Sequence, residues 1–196
     1  MIKNIFFLIV AVLIALPAFA DENTGTIRGE VKIFRERRFA DVVLYLEDVP
    51  GAFKPPANNL RIDQKNLIFI PHVLPVLVGT TVEFANSDTV LHNVFSPSKP
   101  KKFNLGTYGK DTIKQQTFDK AGKVALLCNV HTEMSAFIIV LSNPYFSKTG
   151  NDGRFTINNI PPGQYSLKTW HEEKRPYQEK VTVKAGETTE IKIQLR

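Results

Sequence analysis

Sulfur is nearly absent from this 196-residue sequence: it holds one cysteine, Cys128, and two methionines, of which Met1 is the initiator and Met134 the other. A single cysteine excludes an intramolecular disulfide framework. Helical periodicity is scarce, and no Ser-His-Asp arrangement, paired-carboxylate motif or phosphate loop stands out. The common hydrolytic and nucleotide chemistries are therefore left without residues. Long apolar runs are missing as well, apart from Ile5 to Leu16, which is short for a bilayer span.

That run belongs to MIKNIFFLIVAVLIALPAFA, in which Lys3 precedes the apolar stretch and Ala18, Phe19 and Ala20 form a small-x-small cleavage pattern. Residues 1–20 therefore read as a secretory signal peptide, with an uncleaved anchor as the alternative. Loss of Lys3 with the leader takes the formal charge from +6 to +5. Cleavage would leave no membrane span, and the mature chain is expected in the periplasm or otherwise exported. Export argues against nucleic acid as a partner, so the excess charge is read as solubility plus attraction to an acidic protein or a lipid surface. In an oxidising compartment a lone thiol is buried and inert, paired between chains, or bound to a metal.

Short alternating apolar runs bounded by Gly, Pro, Asn and Asp predict an all-β chain. The strands expected are 25–33, 41–47, 60–70, 74–78, 81–85, 114–118, 123–128, 136–141, 154–157, 164–170, 180–183 and 189–195. Turn-rich clusters at VPGAFKPPANN (49–59) and SNPYFSKTGNDG (142–153) divide them. The first two strands are marginal alone, so the outer pieces are expected to complete one another. Trp170 reads as a core residue beside a solvated His171.

The C-terminal stretch resembles the transthyretin-like, carboxypeptidase-regulatory β-sandwich in Asp152, Gly153, Phe155, Ile157, Ile160, Pro161, Pro162, Gly163, Tyr165 and Leu167, with Gly29, Val31 and residues 41–46 matching its first two strands. The resemblance covers both ends and skips the middle. It implies a smaller, discontinuous sandwich over 21–56 and 143–196 with a second domain, 57–142, inserted; two tandem domains are the rival arrangement.

Within the central block Val124, Leu126 and Cys128 share a parity, which delivers the thiol on the face of its apolar neighbours. A loop then supplies His131 and Met134. Thiolate, imidazole and thioether together select copper, and His92 is placed upstream to add a second imidazole. Zinc is the alternative metal, Glu133 an alternative donor to Met134, and His72 reads as a structural or surface residue.

Here the chain resembles the cupredoxins, plastocyanin and especially amicyanin, in Phe84, Asn86, Asp88, His92, Asn93 and Val94 and in Cys128, His131 and Met134. The similarity runs over roughly 60–141. It implies a Greek-key β-sandwich with one copper, cycling between Cu(I) and Cu(II), held by His92, Cys128, His131 and Met134. It further implies that Asn93 ties the His92 loop to the cysteine loop, and that His131 is the electron exit amid apolar residues such as Phe95 and Pro97. The function expected is a one-electron carrier between a donor and an acceptor redox protein rather than an enzyme. Lys99, Lys101, Lys102 and Lys110 would form a basic rim steering an acidic partner. A copper chaperone, store or sensor with a docking sandwich is the alternative; an enzyme with an open copper position is disfavoured by Met134 in the axial place.

Overall fold

Alternation of apolar and polar residues builds sixteen strands and no helix among residues 23–36 and 39–196, which the computed structural model describes. The expected leader lies outside the described residues. The all-β expectation is met by two stacked sandwiches.

The outer sandwich takes strands from both ends of the chain: β1 (Gly25–Ile33), β2 (Val43–Glu47), β12 (Phe146–Lys148), β13 (Arg154–Ile160), β14 (Gly163–Trp170), β15 (Gln178–Val183) and β16 (Thr188–Leu195). They form a three-stranded sheet, β13-β1-β16, and a four-stranded sheet, β12-β2-β14-β15. Strand β16 shows why: Ile191, Ile193 and Leu195 are buried while Lys192 and Gln194 stay in solvent, the period-two pattern of a half-buried strand. Facing residues Ile27, Val31, Leu44, Leu46, Phe155 and Leu167 close this core.

The inner sandwich is made of the middle strands alone: β3 (Leu60–Lys65), β4 (Ile68–Ile70), β5 (Val73–Leu77), β6 (Thr80–Asn86), β7 (His92–Ser96), β8 (Phe103–Tyr108), β9 (Ile113–Phe118), β10 (Gly122–Leu127) and β11 (Ser135–Leu141). A five-stranded sheet, β5-β11-β10-β7-β8, faces a four-stranded one, β4-β3-β6-β9. Between them lie Ile62, Val82, Phe84, Phe118, Val124, Leu126 and Ile138.

Strand β11 is apolar from Ala136 onward because both its faces are covered. Ala136, Ile138 and Val140 point into the inner core. Ile139 and Leu141, with Phe137, point the other way onto Val43, Tyr45 and Trp170 of the outer sandwich. The two sandwiches thus stack sheet against sheet, four layers deep. Trp170 is not a residue of either sandwich core: half-buried, it packs between the two, its ring 5.2 Å from that of Phe137.

Several local readings are corrected, among them 103–108 and 146–148, expected as connections, which form β8 and β12. The single strand expected over 60–70 is a hairpin, because Asn66 and Leu67 adopt positive φ of 56° and 60° and reverse the chain. Residues 92–96, expected as loop, form β7. It buries His92, Asn93 and Ser96, and buried polar residues on both of its faces hide the strand's alternation.

Candidate metal centre

The three nitrogen and sulfur donors expected from the sequence meet at one end of the inner sandwich. His92 opens β7, Cys128 follows the last residue of β10, and His131 lies in the loop between β10 and β11. The His92 and His131 ring nitrogens and the Cys128 Sγ lie within 4.8 Å of one another. Pairing of Leu127 with Phe95 sets this register, since it carries Cys128 beside the first residues of β7. His92 is fully buried and Cys128 is 3% exposed, whereas His131 reaches the surface in part.

The orientation of His92 is set by Asp88. Nε2–H of His92 donates to Asp88 Oδ2 at 2.7 Å, which leaves the lone pair on Nδ1. That nitrogen faces His131 Nδ1 at 3.1 Å. The two nitrogens can share a hydrogen bond, and with the Cys128 sulfur beside them they are also near enough to serve one metal ion together. Cys128 Sγ accepts two backbone N–H groups, from Asn93 at 3.4 Å and from His131 at 3.5 Å, an arrangement suited to a sulfur bearing negative charge. The residues therefore fit a soft or borderline cation: two imidazoles, a thiolate and a dry apolar wall.

Met134 is 1% exposed and belongs to the same buried cluster as Cys128. Its N–H donates to the His131 carbonyl at 3.0 Å, closing the turn that returns the chain to β11. Glu133 is exposed, so its carboxylate stands in solvent instead.

Asn93, next to His92, hydrogen-bonds to Cys128. Its backbone N–H, not its side chain, bonds the cysteine, and its amide Nδ2–H donates to Asn104 Oδ1 on β8 at 2.8 Å. His72 lies away from the donors. It joins the two sandwiches, with Nδ1 3.1 Å from the Ser135 carbonyl and Nε2 2.7 Å from Glu172 Oε2.

Asp88 and Asn86 carry part of the resemblance, but their contacts are not legible in the sequence, and Gln64 and Tyr108 give no sequence signal at all. Asp88 also accepts N–H from Asn66 at 2.7 Å and Leu67 at 3.0 Å, so one carboxylate fixes both the β3–β4 turn and the His92 tautomer. Burial alone would raise its pKa, but hydrogen bonds from Leu67, His92 and Asn66 outweigh that and hold it below the usual carboxylate value. Asn86 staples the intervening loop, donating to the Val90 and Tyr108 carbonyls and accepting the Asp88 N–H. Behind it Gln64 Nε2–H donates to Tyr108 Oη at 2.7 Å, and burial pushes the Tyr108 hydroxyl pKa up. Only the Asn-Ser-Asp turn four residues before His92 hints at this arrangement.

The lysines expected to rim the centre are mostly elsewhere. β7 runs away from His92 for four residue steps, about 13 Å, before the loop carrying Lys99, Lys101 and Lys102 begins. Pro97 goes with them. Apolar side chains surround the centre in their place: Leu67, Ile68, Val90, Leu91, Ile113 and Val130 make up six of the eight exposed large hydrophobics among the described residues.

Residues 136–196 match the carboxypeptidase regulatory-like domain. No curated protein matches the sequence. Among solved structures, the copper-containing nitrite reductase of Thermus scotoductus SA-01 is 27% identical with a TM-score of 0.43, over 48% of this chain and 25% of that one. The chain thus spans about a quarter of the nitrite reductase. A W45Y mutant of amicyanin in its reduced form is 20% identical with a TM-score of 0.41, over 50% of this chain and 98% of its own. A purple cupredoxin from Nitrosopumilus maritimus is 23% identical with a TM-score of 0.38, covering 42% and 100%. By sequence, residues 136–196 are similar to carboxypeptidase regulatory-like domains, and about half of the chain is similar in structure to cupredoxins.

Proposed function

We propose that this protein is an exported, periplasmic type 1 copper protein that carries single electrons between two redox proteins. The observation that carries the reading is the pair of imidazole Nδ1 atoms 3.1 Å apart, with the Cys128 sulfur beside them and the Asp88 carboxylate behind His92. His92, Cys128 and His131 would hold the ion, and Met134 would add a soft thioether donor that favours Cu(I). Copper, when bound, supplies a one-electron couple.

The protein's own residues do the rest. Asp88 keeps His92 in the tautomer that presents Nδ1, and the buried strands around Cys128 keep water from the sulfur. With so few adjustable parts, the donors need not move when charge changes, which favours fast exchange. His131, partly exposed, is the edge through which an electron would leave. The apolar ring of Leu91, Val130 and their neighbours offers a partner a surface that sheds water readily, next to that edge. An acidic partner would find Lys65 and Lys110 at this end, but not the Lys99–Lys102 loop.

The test is the visible spectrum of the protein with one equivalent of Cu(II), recorded beside Cys128→Ser. An intense thiolate-to-copper band, absent in the variant and bleached reversibly by reductant, is expected. Copper retained through repeated redox cycles in the presence of a competing apo-protein separates a carrier from a store or chaperone. A colourless protein, or equal copper binding without Cys128, would defeat the reading.

A further inference from the structure

Five lysines gather at the end of the inner sandwich opposite the donor cluster. Lys99, Lys101 and Lys102 lie in the β7–β8 connection, Lys120 in the β9–β10 turn, and Lys54 in the long connection from β2 to β3. Packing brings these three connections together. A Cβ at Gly122 would lie 2.7 Å from Pro100, and one at Gly79 would lie 3.2 Å from Pro55. Gly79 N–H donates to the Phe118 carbonyl at 2.7 Å, Ala125 N–H to Ser98 Oγ at 3.0 Å, and Lys101 to Asp119 at 3.1 Å. Against the five stand two acids, Asp119, which Lys101 pairs, and Asp48. Lys54, Lys99, Lys102 and Lys120 are exposed and have no such pairing here.

The composition of this end discriminates among partners. Protein interfaces are enriched in aromatic residues and arginine and depleted in lysine, with buried anchors at their centre. These connections contain no arginine, and none of the exposed large hydrophobics of the described residues lies here. Phe53, their one aromatic ring, packs against the outer core. Lysine ammonium groups on mobile stems, spread over three connections, suit a diffuse negative surface instead.

We propose that this end docks on an anionic lipid surface through its lysines, leaving the apolar end with His131 turned away from the bilayer. Binding is electrostatic and peripheral. It is independent of the metal, so its failure and that of the copper reading are separable.

Protein expressed from the full-length sequence would be sedimented with vesicles of phosphatidylcholine, with and without phosphatidylglycerol, at low and high salt. Binding only to the anionic vesicles, weakening as salt rises, is expected. The Lys99→Glu, Lys102→Glu, Lys120→Glu triple variant should lose at least roughly a hundredfold in partitioning, about fivefold for each lysine's lost attraction before repulsion by the new carboxylates, while its thermal unfolding stays native-like. Should that variant unfold, Lys102→Gln alone should still weaken binding several-fold. Cys128→Ser should bind like the parent. Equal binding to both vesicle types, indifference to the substitutions, or capture of an acidic protein with no binding to anionic vesicles would overturn the proposal.

Discussion

Asp88 accepts three N–H groups from two other parts of the chain, the turn residues Asn66 and Leu67 and the ring of His92. Its two roles can be separated by substitution. Asp88→Asn keeps the shape and removes the charge that orients His92, so copper affinity should fall about 10–100-fold in chelator competition, with modest change in the metal-free fold. Asp88→Ala also strands two backbone donors, and denaturant unfolding of the metal-free protein should show a loss of about 1–3 kcal/mol. Met134 invites a different substitution. A Gln at 134 offers a hard oxygen, which favours Cu(II), so the reduction potential should drop in a redox titration; an unmoved potential would place Met134 outside the coordination sphere.

Strands were legible where their two faces differ in polarity. Ile191, Ile193 and Leu195 alternate with polar neighbours, and the parity of Val124, Leu126 and Cys128 pointed the thiol inward, as the burial of all three shows. Where function places polar groups inside, that signal fails. β7 buries His92, Asn93 and Ser96, so its polarity does not alternate; taken as loop, it puts three lysines at the wrong end of the sandwich. The β3–β4 turn was hidden for another reason: Leu67 holds a left-handed backbone that its side chain disfavours, stabilised by the Asp88 carboxylate from twenty-one residues away. Asparagine tolerates that conformation better. Leu67→Asn should therefore stabilise the protein by about 0.5–1 kcal/mol, read as a raised denaturation midpoint, while thinning the apolar ring around the centre.

At the scale of the whole molecule, four sheets share three apolar layers, and the middle layer is the thinnest. It rests on Val43, Val73, Ile139 and Leu141, with Phe137 and Trp170 half-buried at its side. The parent should unfold in one calorimetric transition; Phe137→Ala with Trp170→Ala should weaken the middle layer and separate that transition into two, one for each sandwich. The His72 contacts cross the same layer and reach Ser135, the residue after Met134, so the outer sandwich touches the strand that carries the ligand loop.

The pairing of β2 with β12 has a consequence for how the chain can fold. Tyr45 and Phe146 are cross-strand neighbours, yet roughly a hundred residues separate them. Closing so long a flexible loop costs about 4 kcal/mol of chain entropy before a single contact rewards it. Once the nine middle strands have condensed, the gap becomes a folded body with its two ends held at one side, and most of that cost has already been met. The order of events follows: the inner sandwich forms first and the outer one zips across it. A lesion in the inner core would thus delay the outer sandwich more than a lesion of equal size in the outer sandwich would delay the inner.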